Sequence, residues 1–321
     1  MGLKALVLVL LLVQNTVYTL LRRYSMANLR EQYDPQEVLL MGEVFKLLFS
    51  ACVVGIDPTP SDAGDSYKAR LTYLTLRSGK MFALALIYGA MNILSYVAIR
   101  RVDAAVFTVC AQLKILTTAA FSVTILRRKL SPTKWRALMH LALGCVLVTA
   151  PQLSQGATIN ASFVLGVVAV LIEVTLSGFA SIYFEKVVKA ADEQLTVWDR
   201  NYQLAMHSII LYASYSFFQR NLVLSEAKYH FLHDFSGVAW TLAFLGGGGG
   251  LLVAMTVKVA DSVVKTLAVS VSIVTSTLAS HFLLGGPLDV PMGVGALVVA
   301  IAVLNYSFDA TPTRSRPESK A

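Results

Sequence analysis

Apolar residues in this 321-residue chain are gathered into long runs rather than spread at helical or alternating spacing. Crossing a hydrocarbon core takes roughly 20 residues of helix. Ten runs approach or exceed that length: 3–24, 36–55, 80–99, 103–126, 134–150, 161–187, 198–218, 238–257, 262–284 and 291–308. Short polar connections, such as "RRVD" at 100–103 and "KVAD" at 258–261, predict tight helical hairpins. The pattern predicts an all-α polytopic membrane protein of ten transmembrane helices. The first run opens beside Lys4, as a signal peptide would, but Gln14, Asn15 and "LRRYS" offer no small-residue cleavage site, so a retained first helix is expected. The polar, proline-containing stretch from Thr311 is expected to be a disordered cytosolic tail, 311–321.

Composition agrees with a bilayer as the solvent. Hydrophobic residues make up 56% of the chain and charged ones only 14%, against about 25% charged in soluble domains. The cations are distributed unevenly, and loops facing the cytosol carry the excess of Lys and Arg. With the N-terminus in the cytosol, 16 cations fall on the cytosolic side and seven on the other, among them Arg220 and Lys228. Both termini are then cytosolic, and the net charge of +8 is mostly a topological signal. A basic face of the kind that binds nucleic acid is absent. Cys52, Cys110 and Cys145 all lie in apolar runs, where inert buried thiols are expected. No cofactor-binding motif appears. The glycines Gly246 to Gly250 lie in an apolar run, where small residues serve close helix packing rather than a phosphate loop.

Shifting the chain by 158 residues overlays Asp103–Leu130 on Asp261–Leu288 with eight identities, including Asp103 on Asp261, Val106 on Val264 and Thr108 on Thr266. The overlay pairs the fourth span with the ninth, an odd separation of five, so the two halves enter the membrane in opposite senses. This predicts two inverted five-helix repeats, 1–150 and 151–310, an architecture that holds transporter substrate sites at the midplane.

Ionisable groups within spans cost at least about 2.5 kcal/mol on insertion scales and mark cavities by default. Lys114 lies mid-span in "VCAQLKILTT" with no acid near it in sequence. Lys265 follows Asp261 by four residues, and Lys46 follows Glu43 by three; for each, an intrahelical pair and a ligand role both stand. Inward lysines call for an anionic partner, and ammonium groups bind phosphate as point charges. Asn92, Gln112, Ser177 and Asn201 supply neutral groups for a base or sugar. Tyr18, Tyr24, Tyr183 and Tyr202 serve as stacking groups or interfacial anchors, and Thr118, one turn beyond Lys114, completes the set. Glu173 in the sixth span is either a proton-coupling carboxylate or a neutral buried one.

Several segments carry a resemblance. "DAAVFTVCAQLKILTTAAFSVTILRRKLSPTKW" resembles the hallmark stretch of nucleotide-sugar transporters. "SGFASIYFEKVVK" at 177–189, "WDRNYQL" at 198–204 and "GGLLVAMTVKVADSVVK" at 249–265 are similar to further signatures of that family, as are "YTLLRRYS" and "EVFKLL". The resemblance implies a Golgi antiporter in the drug/metabolite transporter fold, exchanging a cytosolic nucleotide-sugar for the lumenal nucleoside monophosphate, and no enzyme activity. It implies phosphate contacts for Lys114 and Lys265, polar pocket positions for Asn92, Gln112 and Asn201, and a place near the sugar for Lys46. CMP-sialic acid, exchanged for CMP, is the cargo expected from the nearest members. The alternatives are a UDP-galactose type exchanger working against UMP, or a phosphate or triose-phosphate exchanger. The chain departs from the pattern at Phe107 and Ala111, at Met91 and Ile93, at Val253 and Ala254, and at Ala205.

Overall fold

The structure is a computed structural model and describes residues 2–56, 66–102, 104–149, 161–190, 195–218, 231–286 and 288–309. Among the described residues the regular structure is helical throughout: α1 Leu3–Arg23, α2 Pro35–Ile56, α3 Tyr67–Leu76, α4 Gly79–Ile99, α5 Ala104–Ala111, α6 Lys114–Thr124, α7 Pro132–Thr149, α8 Ala161–Val188, α9 Val197–Phe218, α10 Gly237–Val259, α11 Ser262–Leu284 and α12 Val290–Ser307. A π-helical turn, Tyr24–Asn28, extends α1. Eight stretches among the described residues are long and apolar enough to cross a membrane. Their outward faces carry large apolar side chains such as Phe244, Phe282 and Leu297, all more than half exposed. Exposed apolar surface on this scale belongs against lipid, so the chain is a multi-pass membrane protein.

The runs expected at 134–150 and 198–218 are also helical, as α7 and α9, but they are not among the eight most apolar stretches. Lys134 and Arg136 occupy the first turns of α7, and Asp199 and Arg200 those of α9. Two departures from expectation concern elements. The short helix α3 lies where no helix was expected, because ten residues of mixed polarity give no span-length signal. The fourth span is not continuous: it breaks at Gln112–Leu113 between α5 and α6. Cys52 is exposed rather than buried, while Cys110 is half-buried and Cys145 buried. The tail 311–321, Asp103, Arg220, Lys228 and the boundary at 150–151 lie outside the described residues.

The helices group into two compact units. One comprises 1–96 with 183–286, the other 97–182 with 287–321. These units are defined by packing and cut the chain at other places than the two sequence halves, which are defined by internal similarity.

In the first unit, α2 and α10 approach at glycine. A Cβ on Gly247 would sit 2.5 Å from the Gly42 carbonyl oxygen, and one on Gly42 would sit 3.1 Å from that of Ala243. On the next face of α10, a Cβ on Gly249 would run into the Gln14 amide of α1. Part of the glycine run therefore serves close packing, which in lipid replaces the hydrophobic drive for helix association. Ser236 caps α10, accepting from the amides of Val238 and Ala239, each at 3.1 Å. Asp261 caps α11, accepting from Val264 N at 2.8 Å, and Gly285 ends that helix in the left-handed conformation.

In the second unit, α7 and α12 meet the same way: a Cβ on Gly295 would lie 2.7 Å from the Gly144 carbonyl oxygen. Ser131, before α7, hydrogen-bonds the Asp309 carboxylate, and Lys134 lies over the Tyr306 ring. These contacts tie the start of α7 to the end of α12.

Adjacent glycines provide a control. No neighbouring atom lies within 4 Å of a Cβ placed on Gly248. Gly248→Ala should leave stability unchanged or raise it by up to about 1 kcal/mol, since alanine is the better helix former. Gly247→Ala should cost about 1–3 kcal/mol by overpacking. Thermal melting of the detergent-solubilised protein distinguishes the two, and equal melting points would contradict this packing.

Candidate functional site

The break in the fourth span has a cause in one side chain. The Gln112 amide nitrogen Nε2 donates to the Thr108 carbonyl at 3.1 Å, the acceptor that the Gln112 backbone N–H would use in a regular α-helix. That N–H turns instead to Val109 O, and Leu113 N to Cys110 O, at 3.1 and 3.0 Å. A side chain entering the backbone ladder is a recognised source of helix breaks. Gln112 Oε1 is buried and accepts no hydrogen bond from the described residues.

Lys114 is consequently the first residue of α6 rather than a mid-helix residue. The amides around the break stay engaged, Ile115 N with Gln112 O and both Leu116 N and Thr117 N with Leu113 O, so the attraction for an anion comes from the ammonium itself. Lys114 is half-buried, and the Glu173 carboxylate of α8 exerts a Coulombic attraction on it. The lysine without a nearby acid in sequence thus has one in space. α6 and α8 approach closely here: Thr117 Oγ1 donates to Val174 O at 3.0 Å, and a Cβ on Gly178 would lie 2.5 Å from Thr117 Oγ1. Gly178 of the "SGFASIYFEKVVK" segment is thereby a packing residue. Ser177 beside it is half-buried, and Thr118 is buried. Lys114, Gln112, Thr118, Ser177 and Glu173 all belong to the second unit.

The remaining expected residues belong to the first unit. Lys265 is half-buried in the first turn of α11. Lys46 is 6% exposed and its Nζ lies 2.7 and 2.6 Å from the two Glu43 oxygens. Of the two readings of Lys46, the geometry therefore contains the intrahelical pair. Glu43 also lines a cavity of about 230 Å³ with Gln14, Asn15, Tyr18, Gly246 and Val253. Asn92 hydrogen-bonds the Tyr212 hydroxyl, and both line a groove of about 370 Å³ between α4 and α9, with Gly89, Ser214 and Tyr215. Tyr88 and Tyr212 lie within electrostatic reach of Glu43. Glu43, Tyr88 and Tyr212 were not expected as members of a polar cluster. The i, i+3 spacing of Glu43 and Lys46 was the one sequence signal that led toward it. The Tyr183 hydroxyl donates to the Lys80 carbonyl at 3.3 Å.

Asn201 is 1% exposed and donates to Val197 O at 2.9 Å. Its neighbours form a buried network that fastens α3 to α9. Arg70 pairs with Asp199 at 3.1 Å, with both side chains essentially fully buried. Asp199 also accepts from Thr196 N at 2.7 Å. Gln203 accepts from Arg200 at 3.2 Å and donates to Leu74 O at 2.8 Å. Much of the "WDRNYQL" segment thus shows a structural purpose.

A multi-pass helical membrane protein with lysines held within its spans is the class defined so far. Comparison with known proteins makes it specific. The family profile described as nucleotide-sugar transporter matches residues 1–307. The UDP-galactose/UDP-N-acetylglucosamine transporter srf-3 of Caenorhabditis elegans is 35% identical, covering 95% of this chain and 83% of its own length. The UDP-galactose transporter of Schizosaccharomyces pombe is 33% identical, covering 99% and 89%. The human UDP-N-acetylglucosamine transporter is 34% identical, covering 97% of each. One crystal structure aligns over 96% of this chain and 97% of its own with a TM-score of 0.66 at 14% identity, a likeness of fold alone. The chain belongs to the nucleotide-sugar transporter family.

These relatives correct the expected cargo. They are named for UDP-sugars, not for CMP-sialic acid. The physical reason for the miss is that the matching segments centre on Lys114, Lys265 and helix-packing residues such as Gly178. Ammonium groups attract phosphate whatever base is attached, so a likeness concentrated there carries no information on the base.

The Arg70–Asp199 pair gives a stability prediction. Removing one partner of a buried ion pair leaves an uncompensated charge and costs about 3–5 kcal/mol. Arg70→Ala should lower the melting temperature sharply, whereas Arg136→Ala, at an exposed position, should not. Equal effects in differential scanning fluorimetry would contradict the network.

Proposed function

We propose that this chain is an antiporter for UDP-linked hexoses, of the galactose or N-acetylglucosamine type, exchanging them for UMP across Golgi membranes. The observation that carries the reading is similarity over nearly the full length to relatives named for those cargoes. In this account the protein has ten spans in two inverted five-helix repeats, with both termini cytosolic, and is no enzyme. Lys114 and Lys265 hold the phosphates. Lys114 suits this task because its ammonium is held half-buried within a span, where a phosphate would offset its charge. Asn92, with Tyr212 bonded to it, and Gln112, whose buried Oε1 meets no donor among the described residues, are neutral groups able to read a base or sugar. Lys46 acts through Glu43, and the pair orients polar groups of the sugar. Ser177, Thr118, Asn201 and Tyr183 support the helices that carry these residues. Glu173 balances Lys114 when no phosphate is bound, so the cavity does not carry an isolated cation through the bilayer. Alternating access then follows from the repeats, each exposing the bound cargo to one side in turn.

Counterflow into proteoliposomes preloaded with UMP tests this directly. Labelled UDP-galactose or UDP-N-acetylglucosamine should accumulate, and external UMP should compete far better than CMP. Hydrogen bonds to charged groups contribute about 1.5–3 kcal/mol, so Lys114→Ala should reduce uptake by about ten- to a hundredfold. Preference for CMP would overturn the uridine assignment. Parental uptake by Lys114→Ala would overturn the phosphate role.

A further inference from the structure

One fully buried carboxylate has no part in that scheme. Glu185, near the C-terminal end of α8, is 0% exposed, and both its oxygens are engaged. Oε2 accepts from the backbone N–H of Ser262, the first residue of α11, at 2.9 Å. Oε1 lies 2.7 Å from Lys189 Nζ, one turn further along α8. Lys189 Nζ in turn donates at 2.5 Å to the carbonyl of Ala260, the residue that ends α10. The carboxylate and ammonium of one helix end thus grip the two sides of the α10–α11 turn. Glu185 takes an N–H that opens α11, and Lys189 takes a carbonyl that closes α10. Asp261 completes the cap by accepting from Val264 N at 2.8 Å, and its carbonyl accepts from Lys265 N at 2.9 Å. All of these residues lie within the first unit.

We infer that Glu185 is a positioning residue for Lys265, with Lys189 as its counter-arm. Lys265 stands in the first turn of the helix whose opening N–H Glu185 holds. The backbone of Ala260, with φ −125° and ψ −117°, lies outside the helical and extended regions. The Lys189 contact to its carbonyl restrains the α10–α11 turn. Without the grip, the first turn of α11 frays, as helix ends do when opening N–H groups lose their acceptors, and the ammonium of Lys265 loses its fixed place. The grip also brings a negative charge to a helix N-terminus, which favours the helix electrostatically. Two segments that looked like separate signatures, "YFEKVVK" and "KVADSVVK", are thereby halves of one clasp. This inference rests on the phosphate-binding reading of Lys265.

The test has one arm that needs no ligand and one that does. Hydrogen exchange on the full chain in detergent follows the amides of 258–268, where protection reports local opening. Glu185→Ala should speed exchange there by about tenfold, the equivalent of about 1.4 kcal/mol, while Glu185→Gln, which still accepts from Ser262 N, and Lys189→Met should change it less. The second arm measures binding of UMP and of uridine to the same proteins. A displaced Lys265 weakens only what carries phosphate, so Glu185→Ala should bind UMP about tenfold more weakly and uridine as the parent does. Should Glu185→Ala fail to fold, the same comparison is made on Lys189→Met, whose mutated position is partly exposed, with a smaller loss in the same direction. Unchanged exchange at 258–268 overturns the clasp. Equal weakening of UMP and uridine overturns its action through Lys265. A parent that binds another nucleoside monophosphate instead of UMP refutes the uridine assignment alone, and the second arm is then run with that nucleotide and its nucleoside.

Discussion

A lysine ammonium within the hydrocarbon span costs roughly 2.5–3.5 kcal/mol even on insertion scales that include relaxation, and the organisation around Lys114 answers that cost. Gln112 diverts its own side chain to the Thr108 carbonyl, which breaks the span and makes Lys114 a helix-initiating residue. Glu173 reaches the same ammonium from α8, which Gly178 allows to lie against Thr117. In the proposed exchange, a phosphate would compete with Glu173 for this cation. A permanently sealed pair would hold the charge but leave nothing for the cargo.

The polar interior divides into sealed groups and groups that are only half-buried. Arg70, Asp199, Arg200 and Gln203 satisfy one another or backbone carbonyls and are shut away from solvent. Lys114 and Lys265 are only half-buried, in keeping with the phosphate role proposed for them. Lys46 stands between, buried yet paired with a carboxylate that lines a cavity. Small residues make the arrangement possible, since Gly42 with Gly247 and Gly144 with Gly295 bring backbones within contact distance.

Span placement was legible because hydrocarbon thickness imposes a length that apolar runs must match. The tight 258–261 turn was equally local. The break at Gln112 was not, because no proline or glycine announces it and a side chain does what a breaker would. Helix α3 was missed because a ten-residue helix fastened by Arg70 to Asp199 depends on a partner 129 residues away. The same distance problem hid Glu173 from Lys114 and Glu185 from Ser262. Asn201, expected at the pocket from the family resemblance, is buried and donates to Val197 O within its own helix. The lysines were visible in the sequence, but the cargo was not. An ammonium carries no memory of the base, and the positions Phe107, Ala111, Val253 and Ala205 are losses relative to the pattern rather than signals for another cargo.

The proposed exchange depends on embedded positive charge being there for phosphate. Its most direct test is the melting temperature of the wild-type protein across uridine, UMP, UDP and CMP at equal concentration, since a ligand of the folded state stabilises it by mass action. UMP and UDP should raise the transition well above uridine, with CMP behind UMP. Uridine stabilising as strongly as UMP would mean that the phosphate meets no cation, and the assignment of Lys114 and Lys265 would be wrong.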